Sequence, residues 1–119
     1  MKKAMVLIND TTYAYILRGA ILQELVLKGF DAVVVANQLK HVEKLKKIGC
    51  RLINIDTDRH NLNPLSDLSL FIKYLRILKS EKPDVVLTYN IKPNVYGGYA
   101  CKRLRIPYIA NVTGLGTPL

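Results

Sequence analysis

Apolar residues in this chain fall into short unbroken runs, and the stretches between the runs carry helical spacing. The runs are AMVLI (4–8), DAVVVAN (31–37), RLINI (51–55), DVVLTY (84–89) and PYIANV (107–112). A run without polar alternation is what a strand covered on both faces requires. Between the first two, residues 16–28 place Leu17, Ile21 and Leu25 with Ile16, Ala20, Leu22 and Val26 on a broad helical face, closed by Lys28 and Gly29. HVEKLKKIG (41–49) predicts a short amphipathic helix with Val42, Leu45 and Ile48 inward and Gly49 as its stop. Leu65, Leu68, Ile72 and Leu75, flanked by Phe71 and Leu78, predict a third helix from Pro64 to about Lys82, ended by Pro83. Asn63 is its candidate N-cap, Pro64 suits the first helical position, and Asp67 falls in the first turn. Residues 94–104 predict a fourth helix, and the chain ends in TGLGTPL.

Strand and helix thus alternate strictly. This predicts an α/β fold: a Rossmann-like open parallel sheet, strand order 3-2-1-4-5, with helices on both faces. In such sheets ligands bind beyond the carboxyl ends of the strands, where the strand order reverses. Here that point lies between the first and fourth strands. NDTTYAY (9–15) and NIKPN (90–94) are therefore expected to face each other across a crevice.

The chain has 119 residues, enough for one domain, and 50% are apolar, which fits a folded protein. A formal net charge of +9 adds something the pattern does not: an anionic partner, whether nucleic acid, a phosphorylated ligand or an anionic membrane surface. Cys50 and Cys101 lack zinc-site spacing and are expected to be reduced, partly buried thiols. The apolar run after Met1-Lys2-Lys3 stops at Asn9, too short for a signal peptide or a span. Membrane contact, on this basis, is peripheral.

The first loop has neither G-x-G-x-x-G nor a P-loop, which argues against a dinucleotide, flavin or NTPase site. It offers Asn9, Asp10, Thr11, Thr12, Tyr13 and Tyr15, with Arg18 in about the first turn of the helix that follows. These groups suit hydrogen bonds to a sugar and pairing with a phosphate; they equally suit a capped helix start with a solvated arginine. Lys92, between the fourth strand and fourth helix, can join a helix N-terminus in holding an anion. Asn90 and Asn94 have turn and cap roles as the alternative. Gly97 and Gly98 point to close helix–sheet packing. Arg59 and His60 follow the third strand on the same carboxyl edge, where a lone loop histidine is more often solvated than part of a site. No metal-binding spacing is present. A phosphoacceptor receiver domain shares the length and strand order, but only Asp10, Asp56 and Thr88 match it. The second acidic residue is missing, and Lys92-Pro93 follows the fourth strand rather than the fifth.

INDTTYAYILRGAILQEL, HVEKLKKIGC, NPLSDL, PDVVLTYNIKPNVYGG and IPYIANVTGLGT, in that order, resemble the N-terminal half of bacterial family 4 glycosyltransferases, those of capsule, O-antigen and exopolysaccharide assembly above all. The resemblance covers essentially the whole chain. It implies one half of a GT-B enzyme, in which two Rossmann-like domains face each other over a cleft. The amino-terminal domain of that family binds the acceptor; the carboxy-terminal one binds the nucleotide sugar and carries E-x₇-E, a motif not found in these residues. The family's first domain also continues past a fifth strand. Residues 1–119 are therefore expected to be the acceptor-side domain, cut short at its C-terminal end and inactive alone.

Further expectations come with the resemblance. The donor is a nucleotide sugar, the acceptor an undecaprenyl-diphosphate-linked or other saccharide, and transfer is retaining, with no cofactor, no metal and no nucleic acid. The acceptor-side positions are Asn9, Asp10, Thr11, Thr12, Tyr13, Arg18, Asn90, Lys92, Asn94, Thr113, Gly114 and Gly116. Many relatives carry a histidine near the Lys-Pro turn, where this chain has Asn90 and Ile91. The implied location is cytoplasmic, at the inner face of the cytoplasmic membrane. Lys44, Lys47, Lys73 and Arg76 are the candidates to meet anionic headgroups, each worth about 1 kcal/mol near the surface. The alternative function is a non-catalytic α/β module that binds an anionic ligand or complements a separate catalytic subunit.

Overall fold

The computed structural model describes residues 1–56 and 64–112. Its elements are β1 (Lys3–Asp10), α1 (Thr11–Leu27), β2 (Asp31–Asn37), α2 (Val42–Ile48), β3 (Arg51–Asn54), α3 (Pro64–Glu81), β4 (Val85–Tyr89), a π-helical turn (Pro93–Gly97), α4 (Gly98–Leu104) and β5 (Tyr108–Asn111). The five strands form one parallel sheet in the order β3-β2-β1-β4-β5, as the alternation requires. Asn63, Arg59 and His60, and with them Thr113, Gly114 and Gly116, lie outside the described residues.

The sheet has a core on each face. On one, Met5, Leu7, Val33, Val35 and Val86 pack against Leu70, Tyr74 and Leu78 of α3 and Ala100 and Cys101 of α4. On the other, Val6, Ile8, Val34 and Ala36 pack against Ala14 and Leu22 of α1 and Leu45 of α2. Consecutive residues of β1 thus serve opposite cores, which is why its sequence has no polar position from Ala4 to Ile8. Both thiols are buried, and burial pushes each up to about 11. Neither offers a thiolate at neutral pH.

Three helical expectations need correction. Helix α1 begins at Thr11, so residues 11–15 are helix rather than loop. Asp10 caps it directly off the strand, its Oδ1 accepting the Tyr13 N–H at 2.9 Å. Residues 16, 17 and 21 are not on the inner face: Ile16, Leu17 and Ile21 are exposed, and Ala14 and Leu22 are the buried apolar positions. The helix is apolar most of the way round, so periodicity could not choose a side. In α3 the buried line is Leu70, Tyr74 and Leu78, whereas Leu65, Leu68 and Ile72 face outward. Tyr74, the largest fully buried side chain, belongs to a line that spacing of aliphatic residues alone does not register. Its hydroxyl has no hydrogen-bond partner among the described residues.

The amino edge of the sheet is tied by charge. Arg51 of β3 donates two hydrogen bonds to Asp31 of β2 (3.0 and 2.9 Å) and one to Glu81 at the end of α3 (2.7 Å). Lys3 Nζ donates to Glu81 Oε1 at 2.9 Å, and the Lys3 backbone N–H donates to Asp84. Arg51 is the main reason the Asp31 carboxyl is held below its ordinary value; for Glu81 it is Lys3 first, then Arg51.

Candidate functional site at the switch point

The carboxyl ends of β1 and β4 lie side by side at the switch point. Asn90 leaves β4 with a left-handed backbone (φ 73°), which asparagine tolerates better than most side chains. Its Oδ1 accepts the Asn9 N–H at 3.0 Å, so the two predicted segments do meet. The Asn9 Oδ1 beside it is buried without a hydrogen-bond partner among the described residues. Such an acceptor carries an unmet cost unless a ligand or water satisfies it.

Arg18 stands two turns into α1, deeper in the helix than its sequence position first implied. Its guanidinium lies 4.5 Å from the centre of the Tyr89 ring at the end of β4. Stacking on a ring fixes the plane of an arginine without using up its N–H donors. The Tyr89 phenol is raised by burial, and the Arg18 charge opposes that shift. Sequence alone did not single out Tyr89, which reads as the last residue of a strand.

The other predicted residues of the first segment have structural duties. Thr11 Oγ1 donates to Lys40 O at 2.7 Å and accepts the Leu39 N–H at 2.9 Å, and Thr12 Oγ1 accepts the Lys40 N–H at 3.2 Å. Together they pin the β2–α2 connection onto the start of α1. Asp10 is buried as the cap, and Tyr13 is partly exposed on the first turn.

Asn94 is a cross-brace. It accepts the Thr88 hydroxyl at 2.6 Å and donates from Nδ2 to Asn111 O at 3.0 Å. Asn111 Nδ2 in turn donates to Thr88 O at 3.3 Å. These bonds lock β4, the π-helical turn and β5 together at their carboxyl ends. Thr88 is fully buried, which removes the accessible hydroxyl a receiver domain would need. Gly97 serves packing, as expected: a Cβ there would come within 2.5 Å of Leu7 Cδ1. Pro93 takes the start of the turn, where its missing N–H costs nothing.

Lys92 is placed differently from its expected position opposite Asn9–Arg18. Its ammonium pairs with Asp67 Oδ1 of α3 at 2.9 Å, and the Tyr96 hydroxyl donates to Asp67 Oδ2 at 3.0 Å. The Lys92 side chain is only 13% exposed. Lys92 first and Tyr96 second hold the Asp67 carboxyl below its usual range, and the same bond raises the Tyr96 phenol. Asp67 was visible in sequence only as a first-turn acid. Its pairing joins residues 25 positions apart on separate elements, and no local pattern reports that.

The four basic membrane candidates divide between two helices on opposite faces. Lys44 of α2 approaches the Tyr15 ring at 5.3 Å, and Lys47 borders the α1–α2 groove. Lys73 and Arg76 of α3 border a hollow closed by Asn54, Ile55 and Asp56. No helix among the described residues is long and apolar enough to cross a membrane. No cluster of metal-ligating side chains occurs among them either.

A parallel sheet of this order is shared with one lobe of solved GT-B glycosyltransferases. The chain belongs to the glycosyl transferase 4-like family, whose model matches residues 5–118. It is 31% identical over 104 residues to the N,N'-diacetylbacillosaminyl-diphospho-undecaprenol alpha-1,3-N-acetylgalactosaminyltransferase of Campylobacter jejuni, covering 87% of this chain and 28% of that protein. Its fold matches that of Acinetobacter baumannii MurG with a TM-score of 0.72 at 21% identity, covering 92% of this chain and 34% of the other. A glycosyltransferase from Rickettsia africae matches with a TM-score of 0.74 at 17% identity, covering 99% and 31%. This chain therefore spans about a third or less of each relative's length.

Proposed function

We propose that this chain is the acceptor-side lobe of a glycosyltransferase that moves a sugar from a nucleotide-sugar donor to a lipid-linked saccharide. The observation that carries it is the switch-point pair of groups: Arg18, over the Tyr89 ring at the end of β4, and the Asn9 Oδ1 at the end of β1, which is buried without a partner among the described residues. A planar cation and a hydrogen-bond acceptor suit a ligand with both phosphate oxygens and sugar hydroxyls. The family match and the Campylobacter relative, whose name specifies a diphospho-undecaprenol acceptor, favour the same ligand class.

On this reading the acceptor is undecaprenyl-diphosphate-linked, the product feeds capsule, O-antigen or exopolysaccharide assembly, and transfer is retaining without a cofactor. The donor is bound by a second lobe, so the 119-residue chain alone is inactive. Work at the inner face of the cytoplasmic membrane, with Lys44, Lys47, Lys73 and Arg76 near anionic headgroups, belongs to the same proposal.

The test is transfer from a panel of radiolabelled nucleotide sugars to undecaprenyl-diphosphate-linked saccharide, by the full-length protein and by this chain. Turnover by the full-length protein and none by the chain is expected. No transfer from any donor by the full-length protein would overturn the assignment, and turnover by the chain alone would overturn the division of labour.

A further inference from the structure

On the α3–α4 face, beside the switch point, an open groove of about 530 Å³ runs between the two helices. Pro64, Asp67, Leu68, Phe71, Tyr96 and Tyr99 line it, and nothing in the switch-point chemistry above uses it. We propose that this groove holds the part of the acceptor's polyprenyl chain nearest its diphosphate. The proposal rests on the lipid-linked acceptor proposed above and assigns a place to its hydrocarbon.

Three features single out a hydrocarbon chain. The walls are apolar and aromatic, and the volume lies within the usual range for small-molecule sites. The sole charged wall residue, Asp67, is ion-paired with Lys92 and accepts the Tyr96 hydroxyl on Oδ2. The charge of Asp67 is therefore neutralised within the fold, and the rest of the lining is apolar or aromatic. Its outer wall is costly if left bare, since Leu68 and Tyr99 are 54% and 59% exposed. Apolar side chains standing together in a concave surface mark a binding site far more often than singly scattered ones do.

Position supplies the second half of the inference. Asp67 and Tyr96 bridge the groove to Lys92, and Lys92 opens the segment that carries Asn94 at the carboxyl end of β4. A chain lying between Leu68 and Tyr99 thus brings its charged head toward the sheet edge that holds Arg18 and Asn9. The Lys92–Asp67–Tyr96 linkage ties the α3 wall of the groove to the segment that leaves β4. A ligand that is apolar at one end and a phosphorylated saccharide at the other matches both.

The experiment compares two acceptors in the full-length enzyme: the undecaprenyl-diphosphate saccharide and the same saccharide diphosphate on a short alkyl chain. Leu68→Asp and Tyr99→Ser alter exposed positions of the groove; Leu65→Asp, exposed on the same helix but outside the groove lining, is the control. Each groove variant is expected to raise KM for the polyprenyl acceptor on the order of tenfold, the loss of about one leucine-sized contact. KM for the short-chain acceptor and both kcat values stay unchanged, and Leu65→Asp has no effect. Equal shifts for both acceptors, or none for either, would overturn the groove assignment while leaving the transferase intact. An equal effect of Leu65→Asp, together with lost sedimentation on acceptor-free vesicles, would make this surface a bilayer contact and likewise overturn it. Absence of transfer to either acceptor by the unmodified enzyme would overturn the function itself, and this proposal with it.

Discussion

The two edges of the sheet are held by different chemistry. At the amino edge, Lys3, Asp31, Arg51 and Glu81 neutralise one another through ion pairs of 2.7–2.9 Å. At the carboxyl edge the ties between strands are neutral, made by Thr88, Asn90, Asn94 and Asn111, and the Lys92–Asp67 ion pair joins the segment after β4 to α3 rather than strand to strand. One edge spends its charges on itself. The other ties its strands with uncharged groups, leaving Arg18 on a ring and Asn9 Oδ1 without a partner among the described residues. The difference separates a clamp from a site: a clamp is complete within the fold, whereas a site retains chemistry that the fold does not consume.

The comparison can be broken by substitution. The largest effect on stability is expected at the carboxyl edge from Gly97→Val, because Leu7 is fully buried and cannot yield to the new side chain. Overpacking there should cost about 1–3 kcal/mol in denaturant unfolding, more if the π-helical turn is displaced. Asn94→Ala comes next. It strands the buried Thr88 hydroxyl and breaks the tie to β5, for about 1–3 kcal/mol. Arg51→Ala removes two pairs at the amino edge, but its side chain is 48% exposed, so each is worth about 0.2–1 kcal/mol. A larger loss from Arg51→Ala than from Asn94→Ala would reverse the ranking of the two edges.

Acid sharpens the contrast. Asp31 and Glu81 are held below their ordinary values of 3.8 and 4.5, so the unfolded chain binds more protons in that range. Their contribution is complete above about pH 4.5 and drains as pH falls through the lowered native values. Thermal unfolding should show this acid loss, and Arg51→Ala should shrink it while Asn94→Ala leaves it in place. The smallest effect belongs to neither edge. Tyr74→Phe removes a buried hydroxyl with no partner among the described residues, and the melting temperature should hold or rise.

Much of this architecture was legible in the sequence, and the limits have physical causes. Unbroken runs such as DAVVVAN gave β2 its full extent, because a strand covered on both faces has no other pattern. Helix faces were harder. In α1, Ile16, Leu17 and Ile21 satisfy helical spacing yet lie outside the core, since an apolar helix packs by the shape of its neighbours. The segment after β4 was expected to face NDTTYAY, and Asn90 does accept the Asn9 N–H. Which of the segment's polar residues face the switch point was not recognisable. Lys92 has the composition of an anion-binding loop residue and is paired with Asp67; Arg18 could equally have been solvated and is stacked on Tyr89. Both outcomes depend on partners from distant segments, which spacing within one segment does not encode.

The central claim is that the carboxyl edge, not the amino edge, receives the acceptor. It is tested most directly by transfer kinetics of the full-length protein carrying Arg18→Ala or Arg51→Ala. The account predicts that Arg18→Ala raises acceptor KM or lowers kcat/KM for acceptor by about tenfold or more, the value of one charge-assisted contact, with folding intact. Arg51→Ala should leave those constants unchanged. Full activity of Arg18→Ala, or equal losses in both variants, would contradict it.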